Sequence, residues 1–211
     1  NHLIDGNELD ANKEDKEIDI KWEKLSGVYM PDGIAVAEQG GETYILTANE
    51  GDATEWEEYA NITTAVVDKA DGAKIEVLDK TKVDGLPESE NEYSLGGRSF
   101  SIYRVDEDGL TQVFDSGADF EKLTAQLYPE NFNASNKNNK LDSRSDAKGP
   151  EPESVIVGQA GDKTYAFVGL ERIGGVMMYD ITDIENPEFY DYVNSRDFTV
   201  DFPDEGTDRA Q

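Results

Sequence analysis

Six carboxylate side chains flank two short apolar segments of this 211-residue chain. They are Asp32, Glu50, Asp52, Glu151, Glu153 and Glu171. Carboxylate oxygens are the ligands that Ca²⁺ and Mg²⁺ prefer. Carboxylates that pack together raise each other's pKa unless a cation neutralises them. Their positions therefore predict a metal site, most simply for Ca²⁺, although acids that merely cap the strand ends are an alternative that the sequence leaves open.

Two arginines stand beside glycines, Arg98 in "GGRSFS" and Arg172 in "LERIGG". A guanidinium in such a place can bind a phosphate or a carboxylate through two parallel hydrogen bonds. A structural ion pair with a neighbouring acid is the alternative. Because no residue is an evident nucleophile or general base, the catalytic residues stay unknown, and these arginines are candidates for phosphate contact.

The composition narrows the chemistry further. The absence of cysteine excludes disulfides, thiolate metal sites and a cysteine nucleophile. The only histidine, His2, lies in a polar stretch, which argues against a Ser-His-Asp triad and against a histidine-based zinc site. A net charge of -28 predicts repulsion from nucleic acid and anionic membranes. No apolar run approaches the roughly 20 residues of a membrane span.

An internal repeat positions the six carboxylates. Residues 31–50, "PDGIAVAEQGGETYILTANE", align without a gap on residues 152–171, "PESVIVGQAGDKTYAFVGLE". Each copy reads as a proline and an acid, a strand, a glycine-containing turn, and a second strand that ends in Glu. Antiparallel pairing places the start of the first strand beside the end of the second. The acids expected to meet at one rim are Asp32 with Glu50, and Glu153 with Glu171.

The remaining strand patterns predict an all-β fold. "SFSIYRV" (99–105) echoes "GVMMYDI" (175–181) as the third strand of each unit, and the whole chain shows eight to ten short strands. Short helices are expected over 53–62 and 118–128. Four antiparallel strands per unit are typical of a β-propeller blade. We therefore expect a partial ring of about three to five blades.

The chain divides into a polar N-terminal lead-in (1–20), the blades (21–200) and a polar tail (201–211). Within the blades, residues 129–153 form a long loop, and loops of that length in a compact domain are usually functional or disordered. The loop ends in "GPEPE", where Pro150 and Pro152 flank Glu151 and bias it towards an extended backbone. The sequence predicts that this junction aims carboxylates at the site.

Several long motifs resemble the choice-of-anchor I family over roughly residues 25–200. They include "GVYMPDGIAV", "YILTANEGDATEW", "GGRSFSI", "DSRSDAKGPEPESV" and "YAFVGLERIGGVMMYDIT". Members are bacterial surface or secreted proteins, similar to the mesenchyme-specific cell-surface glycoproteins of biomineralising animals, and are often labelled alkaline-phosphatase-like. The resemblance implies a propeller, an exported location and acidic calcium-binding loops. Family members are longer at both ends, so we expect this chain to be an internal fragment or a processed piece.

Two functions follow as expectations. The first is an exported acidic β-propeller module that binds Ca²⁺ and acts at the cell surface, in contact with matrix or mineral. The alternative is a calcium-dependent, alkaline-phosphatase-like phosphoester hydrolase, in which bound cations polarise the phosphate and activate a water. The expected partners are a divalent cation, a phosphoester, mineral or extracellular matrix, and the remaining blades or another chain.

Overall fold

The computed structural model describes residues 6–70 and 72–200, and in them twelve strands form three four-stranded sheets. The strands are β1 (Leu25–Val28), β2 (Ile34–Gln39), β3 (Glu42–Asn49), β4 (Ile62–Val66), β5 (Lys74–Leu78), β6 (Glu92–Leu95), β7 (Ser99–Asp106), β8 (Gly109–Asp115), β9 (Pro152–Ala160), β10 (Lys163–Leu170), β11 (Val176–Asp180) and β12 (Glu188–Val193). One α-helix, α1 (Asp119–Leu127), and two short 3-10 helices, Glu57–Tyr59 and Pro129–Asn131, complete the described elements. The predicted all-β fold is confirmed.

The strand order shows that one sheet is inserted into another. The first sheet has the order β1-β6-β5-β4, the second β2-β3-β7-β8 and the third β9-β10-β11-β12. Neighbouring strands are antiparallel, except that β1 and β6 are parallel. Because β4, β5 and β6 lie in the chain between β3 and β7, most of the first sheet interrupts the second.

The two sequence repeats form equivalent hairpins in different sheets. In β2–β3, Val36 pairs with Ile45, and in β9–β10, Val157 pairs with Ala166. The sequence alignment places Val157 over Val36 and Ala166 over Ile45, so the two hairpins share one register. The β-branched and aromatic residues of both copies suit half-buried strands, and a register slip would turn the core face outward.

The third and fourth strands of the two sheets also match. A β-bulge separates Ile102 from Tyr103 where β7 meets β8, and another separates Met178 from Tyr179 where β11 meets β12. These positions coincide when "SFSIYRV" is placed over "GVMMYDI". The second sequence echo is therefore confirmed as the third strand of each sheet, with a bulge that raises the local twist at the same place.

The second and third sheets share one hydrophobic core. Phe100 of β7 and Tyr179 of β11 are almost fully buried, with ring centroids 4.8 Å apart. Phe120 of α1 lies 6.2 Å from Phe100 and closes the core from the helix side. Burying an aromatic side chain of this size contributes about 2–3 kcal/mol. The helix predicted over 118–128 is thus confirmed, and its apolar face holds the two sheets together.

Within the predicted polar lead-in (1–20), the described residues 6–20 include an apolar side chain that packs into a core. Leu9 is 1% exposed and packs with Leu25 and Ile75 in the core of the first sheet. Its backbone also pairs with Lys21 in an isolated antiparallel bridge. Because Leu9 stands among polar residues, the sequence alone suggested a polar tail. The predicted C-terminal tail, residues 201–211, lies outside the described residues.

Other boundaries changed for local reasons. The helix expected over 53–62 is only the 3-10 helix Glu57–Tyr59, because the β-branched residues of "ITTAV" begin strand β4. Strands β1 and β6 have four residues each and were not predicted. Both are too short to show an alternating pattern.

Candidate functional site

Three of the six predicted carboxylates converge. Glu50, Glu151 and Glu171 each offer an oxygen atom, and these atoms lie within 4.8 Å of one another. Glu50 follows β3, Glu151 precedes β9 and Glu171 follows β10. The cluster therefore joins the second sheet, the third sheet and the end of the long loop.

Glu151 is held in an unusual backbone conformation at the end of the long loop. Its φ of 53° is in the left-handed region, not in the extended form that the flanking prolines predicted. The amide of Glu171 donates to the carbonyl oxygen of Glu151 at 2.8 Å, which ties the loop to the end of β10. The Glu151 residue is 0% exposed. Backbone strain of this kind persists only where the surroundings determine it.

Three cationic side chains surround the Glu151 carboxylate. Arg144 reaches its Oε1 from Nη2 at 2.6 Å and from Nε at 3.1 Å. Lys148 Nζ lies 3.1 Å from Oε2, and Arg172 Nε lies 2.8 Å from the same oxygen. Burial alone raises the pKa of Glu151, but the three cations outweigh it and hold the pKa below its ordinary value.

The other two carboxylates share these cations. Lys148 Nζ also lies 2.6 Å from Oε1 of Glu50, and Arg172 Nη2 lies 3.1 Å from Oε2 of Glu171. Burial raises the pKa of Glu50 and of Glu171, and the paired cation offsets part of each shift. Three carboxylates thus alternate with Arg144, Lys148 and Arg172. A metal ion that binds here has to replace at least one of these cation contacts.

Two glycines position Glu50. Gly51 and Gly96 have φ values of 85° and 72°, and their backbones lie against each other. A Cβ atom on Gly96 would lie 2.0 Å from the carbonyl oxygen of Glu50, so no side chain fits there. The amide of Gly97 donates to the carbonyl oxygen of Asn49 at 3.0 Å. The ends of β3 and β6 are therefore fixed together directly beside the cluster.

The remaining predicted carboxylates lie around the cluster and are exposed. The charge of Asp32 adds to the raised pKa of Glu50, and the charge of Glu153 adds to that of Glu171. Each is therefore close to the partner expected from the hairpin geometry. The Oδ1 of Asp52 accepts a hydrogen bond from the amide of Ala53 at 2.7 Å.

A cleft of about 400 Å³ lies over the cluster, where the three sheets and the long loop meet. Arg144, Lys148 and Arg172 line it together with Asn136. Acidic side chains and one aromatic side chain line it as well. These are Asp52, Glu55, Glu76 and Trp56. The cleft thus presents cations to a ligand directly above carboxylates, which suits a ligand that carries an anionic group.

Arg98 lies elsewhere, and only 3% of the residue is exposed. Its guanidinium pairs with the carboxylate of Glu121 and donates to three backbone carbonyl oxygens. These oxygens belong to Asp10, Ser145 and Ala147. Both arginines named from the sequence make the ion pair with a neighbouring acid that was the alternative, and Arg172 also lines the cleft.

A family model described as "Choice-of-anchor I domain" matches residues 1–184. The chain belongs to the choice-of-anchor I family. This confirms the resemblance read from the motifs. In the described residues of this choice-of-anchor I domain, no helix is long and apolar enough to cross a membrane.

Two curated relatives were found. The domain is 42% identical over 92 residues to Gigasin-3a of Magallana gigas, across 41% of this chain and 32% of the relative. It is 26% identical over 234 residues to the mesenchyme-specific cell surface glycoprotein of Strongylocentrotus purpuratus, across 88% of this chain and 30% of the relative. The chain thus spans about a third of the length of these relatives. No solved structure matches it.

Sequence reasoning missed two members of the site in this choice-of-anchor I domain. Arg144 and Lys148 stand in "DSRSDAKGPEPE", upstream of Glu151 in the same loop. The sequence predicted phosphate contacts only for the two arginines that stand beside glycines, Arg98 and Arg172. Two cations shortly before a proline-flanked acid were the available signal, since a loop that folds back on itself can pair them.

Proposed function

We propose that this choice-of-anchor I domain is part of an exported β-propeller module that binds Ca²⁺ and acts at the cell surface, in contact with matrix, mineral or a partner. The observation that carries the proposal is the convergence of Glu50, Glu151 and Glu171, whose oxygens lie within 4.8 Å of one another under a cleft. Oxygen ligands without histidine or cysteine favour Ca²⁺ over zinc or copper.

The propeller is supported by the sheets themselves. Three sheets of four strands, two of them with the same register and bulge position, are what repeated blades require. The first strands of the second and third sheets leave apolar side chains exposed, with Ile34 at 61%, Val36 at 60% and Ile156 at 64%. Further blades, for which the longer relatives have room, would cover them.

The location is supported by the family and by charge. One relative is named as a cell surface glycoprotein. The net charge of -28 keeps a protein soluble and attracts divalent cations. An acidic module outside the cell also meets calcium at concentrations at which even weak sites fill.

The cluster offers the bound ion three carboxylate oxygens. Lys148 now neutralises Glu50 and Glu151, and its long side chain can leave as the ion enters. Arg144 and Arg172 would stay on Glu151 and keep it ionised. With three protein ligands, Ca²⁺ would keep free positions, because it takes six to eight oxygens. Phosphate, carboxylate or carbonate oxygens of a partner or a mineral can fill these positions.

Calorimetry on the metal-free chain tests this function. We expect Ca²⁺ to bind and to raise the melting temperature, since an ion at a hundredfold excess over its Kd adds about 2.7 kcal/mol. Glu171→Gln should remove one binding event, whereas Glu107→Gln, in the exposed β7–β8 turn, should not. If the parent and Glu171→Gln bind equal amounts of calcium, the carboxylates form an ion-pair network and nothing more.

A calcium-dependent phosphoester hydrolase is the second candidate. It is favoured by Arg144, Lys148 and Arg172, which line the cleft beside the carboxylates as a phosphate-binding site requires. A metal in the cluster would polarise the phosphate and activate a water. Hydrolysis of p-nitrophenyl phosphate by the protein, dependent on Ca²⁺ and lost in Arg172→Ala, would support it. Calcium binding without hydrolysis would instead favour the binding module.

A further inference from the structure

A second set of oxygen ligands lies outside the cleft, in the long loop. Asp142 and Asn133 are both 0% exposed. Within the described residues, both carboxylate oxygens of Asp142 and the Oδ1 of Asn133 accept no hydrogen bond. Buried oxygens without a donor are costly, and a buried carboxylate is the more costly of the two. Three such oxygens in one loop call for a partner that the described residues do not supply, either a cation or ordered water.

The backbone holds these two residues in fixed positions. Both are in the left-handed region, with φ values of 48° for Asn133 and 67° for Asp142. The amide of Asp142 donates to the carbonyl oxygen of Phe132 at 2.7 Å, and the amide of Arg144 donates to that of Asn133 at 2.9 Å. Asn and Asp adopt this region more readily than other side chains, and the two backbone hydrogen bonds hold the residues side by side.

The orientation of the Asn133 amide is also fixed. Its Nδ2 donates to Ser145 Oγ at 2.8 Å and to Glu121 Oε1 at 3.2 Å. Because Nδ2 donates both of these hydrogen bonds, the amide atom without a hydrogen-bond partner is the oxygen Oδ1. The Ser145 side chain lies near Asp142 and offsets part of its raised pKa, but it does not meet hydrogen-bond geometry with either oxygen.

An acidic N-terminal loop faces Asp142. Asp10 is 0% exposed, and its Oδ1 and Oδ2 each accept one amide hydrogen bond, from Asn12 at 3.0 Å and from Asp19 at 2.8 Å. Each oxygen keeps a free lone pair. Glu121 joins this loop to the long loop, because its Oε2 accepts the amide of Asp10 at 2.7 Å and its Oε1 accepts Nδ2 of Asn133 at 3.2 Å. Burial, together with the charges of Asp10 and Asp15, raises the pKa of Asp142 to about 8.

The cationic side chains near Asp142 already pair with other groups. Arg98 is committed to Glu121 and to backbone carbonyl oxygens. Lys13 pairs with Asp146 at 2.5 Å. Neither is hydrogen-bonded to Asp142. The acids around Asp142 are therefore not neutralised in the way that the cleft cluster is.

We propose that Asp142, Asn133 and Asp10 form a second calcium site, which fastens the N-terminal loop of residues 10–19 to the long loop. Asp15, which is exposed, would contact the ion at the rim through water. All the ligands are hard oxygen atoms, and two of the three direct ligands, Asp142 and Asp10, are carboxylates, which is the kind of set that Ca²⁺ takes. The site shares no residue with the cleft cluster and does not depend on the proposed function.

Replacement of Asp142 by Asn shows whether Asp142 is a calcium ligand or only a buried neutral acid. Without calcium, Asp142→Asn should melt at or above the parent, because it removes a buried carboxylate that has no partner. With calcium, the parent should gain one more bound ion and a larger rise in melting temperature than the variant. The same change at the exposed Asp108 is the matched control and should leave both responses unchanged. An Asp142→Asn variant that binds as much calcium as the parent would overturn the site.

Proteolysis of the N-terminal loop gives a second measurement that does not depend on a core variant. Endoproteinase Lys-C can cleave after Lys13 and Lys16, which are both exposed. At a hundredfold excess of free calcium over its Kd, opening of the loop should be about a hundredfold rarer. We expect strong protection in the parent, weaker protection in Asp15→Asn, none in Asp142→Asn and full protection in Glu171→Gln. Equal cleavage of the parent in calcium and in EGTA would contradict the site.

Discussion

The Nζ atom of Lys148 lies 2.6 Å from Oε1 of Glu50 and 3.1 Å from Oε2 of Glu151. It also donates to the carbonyl oxygen of Gly51 at 2.8 Å. One ammonium group therefore joins the end of β3 to the loop that leads into β9. It stands between two of the carboxylates that the proposed calcium ion needs, so lysine and calcium must compete.

Replacing Lys148 by Met should change stability and affinity in opposite directions. Without calcium, the variant should lose about 3 kcal/mol of unfolding free energy, because Glu50 and the buried Glu151 lose a partner. Its calcium affinity should rise, since the competing ammonium is gone. Urea denaturation and calorimetry measure the two effects. Lys163→Met, which breaks only an exposed pair with Asp180, is the control. Weaker calcium binding by Lys148→Met would contradict the competition.

The contact between Gly51 and Gly96 predicts a large loss for a small substitution. Gly96→Ala should destabilise the domain by about 3 kcal/mol or more, because the new Cβ meets backbone atoms that cannot move independently. Gly40→Ala is the matched control, since Gly40 also has a positive φ, of 63°, but nothing lies within 4 Å of its Cβ position. It should cost about 1 kcal/mol. Equal losses in urea denaturation would show that the close approach does not matter.

The hydrogen bond from Tyr179 to Asp119 predicts a pH-dependent effect. The tyrosine hydroxyl donates to Asp119 Oδ2 at 3.0 Å, while burial raises the pKa of Asp119 and this bond offsets part of the shift. In Tyr179→Phe the pKa should rise further. A raised carboxyl pKa costs stability as the pH rises through the folded-state value. The variant should therefore lose about 1–2 kcal/mol more at pH 7 than at pH 4.

Thermal unfolding at several pH values checks this expectation. Tyr59→Phe removes the same hydroxyl from a side chain that is 69% exposed, so its effect should be small and independent of pH. A loss in Tyr179→Phe that is the same at pH 4 and pH 7 would mean that the hydroxyl does not stabilise the ionised form of Asp119.

The exposed apolar side chains of β2 predict that a longer chain covers this strand. The protein has no cysteine, so Val36→Cys provides a single thiol for labelling. A maleimide should modify it rapidly in the 211-residue chain and slowly in a longer form of the protein that covers β2. Asp108→Cys, in the β7–β8 turn, should react rapidly in both. Equal rates for Val36→Cys in the two proteins would count against closure of a ring over β2.

The hairpins were predictable because local sequence determines them. The ungapped alignment of residues 31–50 with 152–171 carries both the strand pattern and the register, and the structure keeps both. The first sheet was not predictable in the same way. Its parallel β1–β6 pair joins Leu25 to Glu92, and no local pattern reports a contact between four-residue strands that are so distant in the chain.

The residues of the site likewise divide into those that the sequence predicted and those that it did not. Glu50 and Glu171 directly follow equivalent strands, so the repeat was enough to bring them to corresponding places. The left-handed backbone of Glu151 and the pairing of Arg144 and Lys148 depend on how the long loop folds back, which composition does not determine. Asp142 in this loop had no distinguishing signal, because an unpaired buried carboxylate is recognised only once its neighbours are placed.

The most direct test of the calcium cluster is a crystal structure of the chain grown with Tb³⁺, with anomalous differences measured to locate the ion. We predict a peak bonded to oxygens of Glu50, Glu151 and Glu171, with the Lys148 side chain displaced from its place between Glu50 and Glu151. A structure in which Lys148 still bridges these two carboxylates, with no peak beside them, would contradict the proposal that this cluster binds calcium.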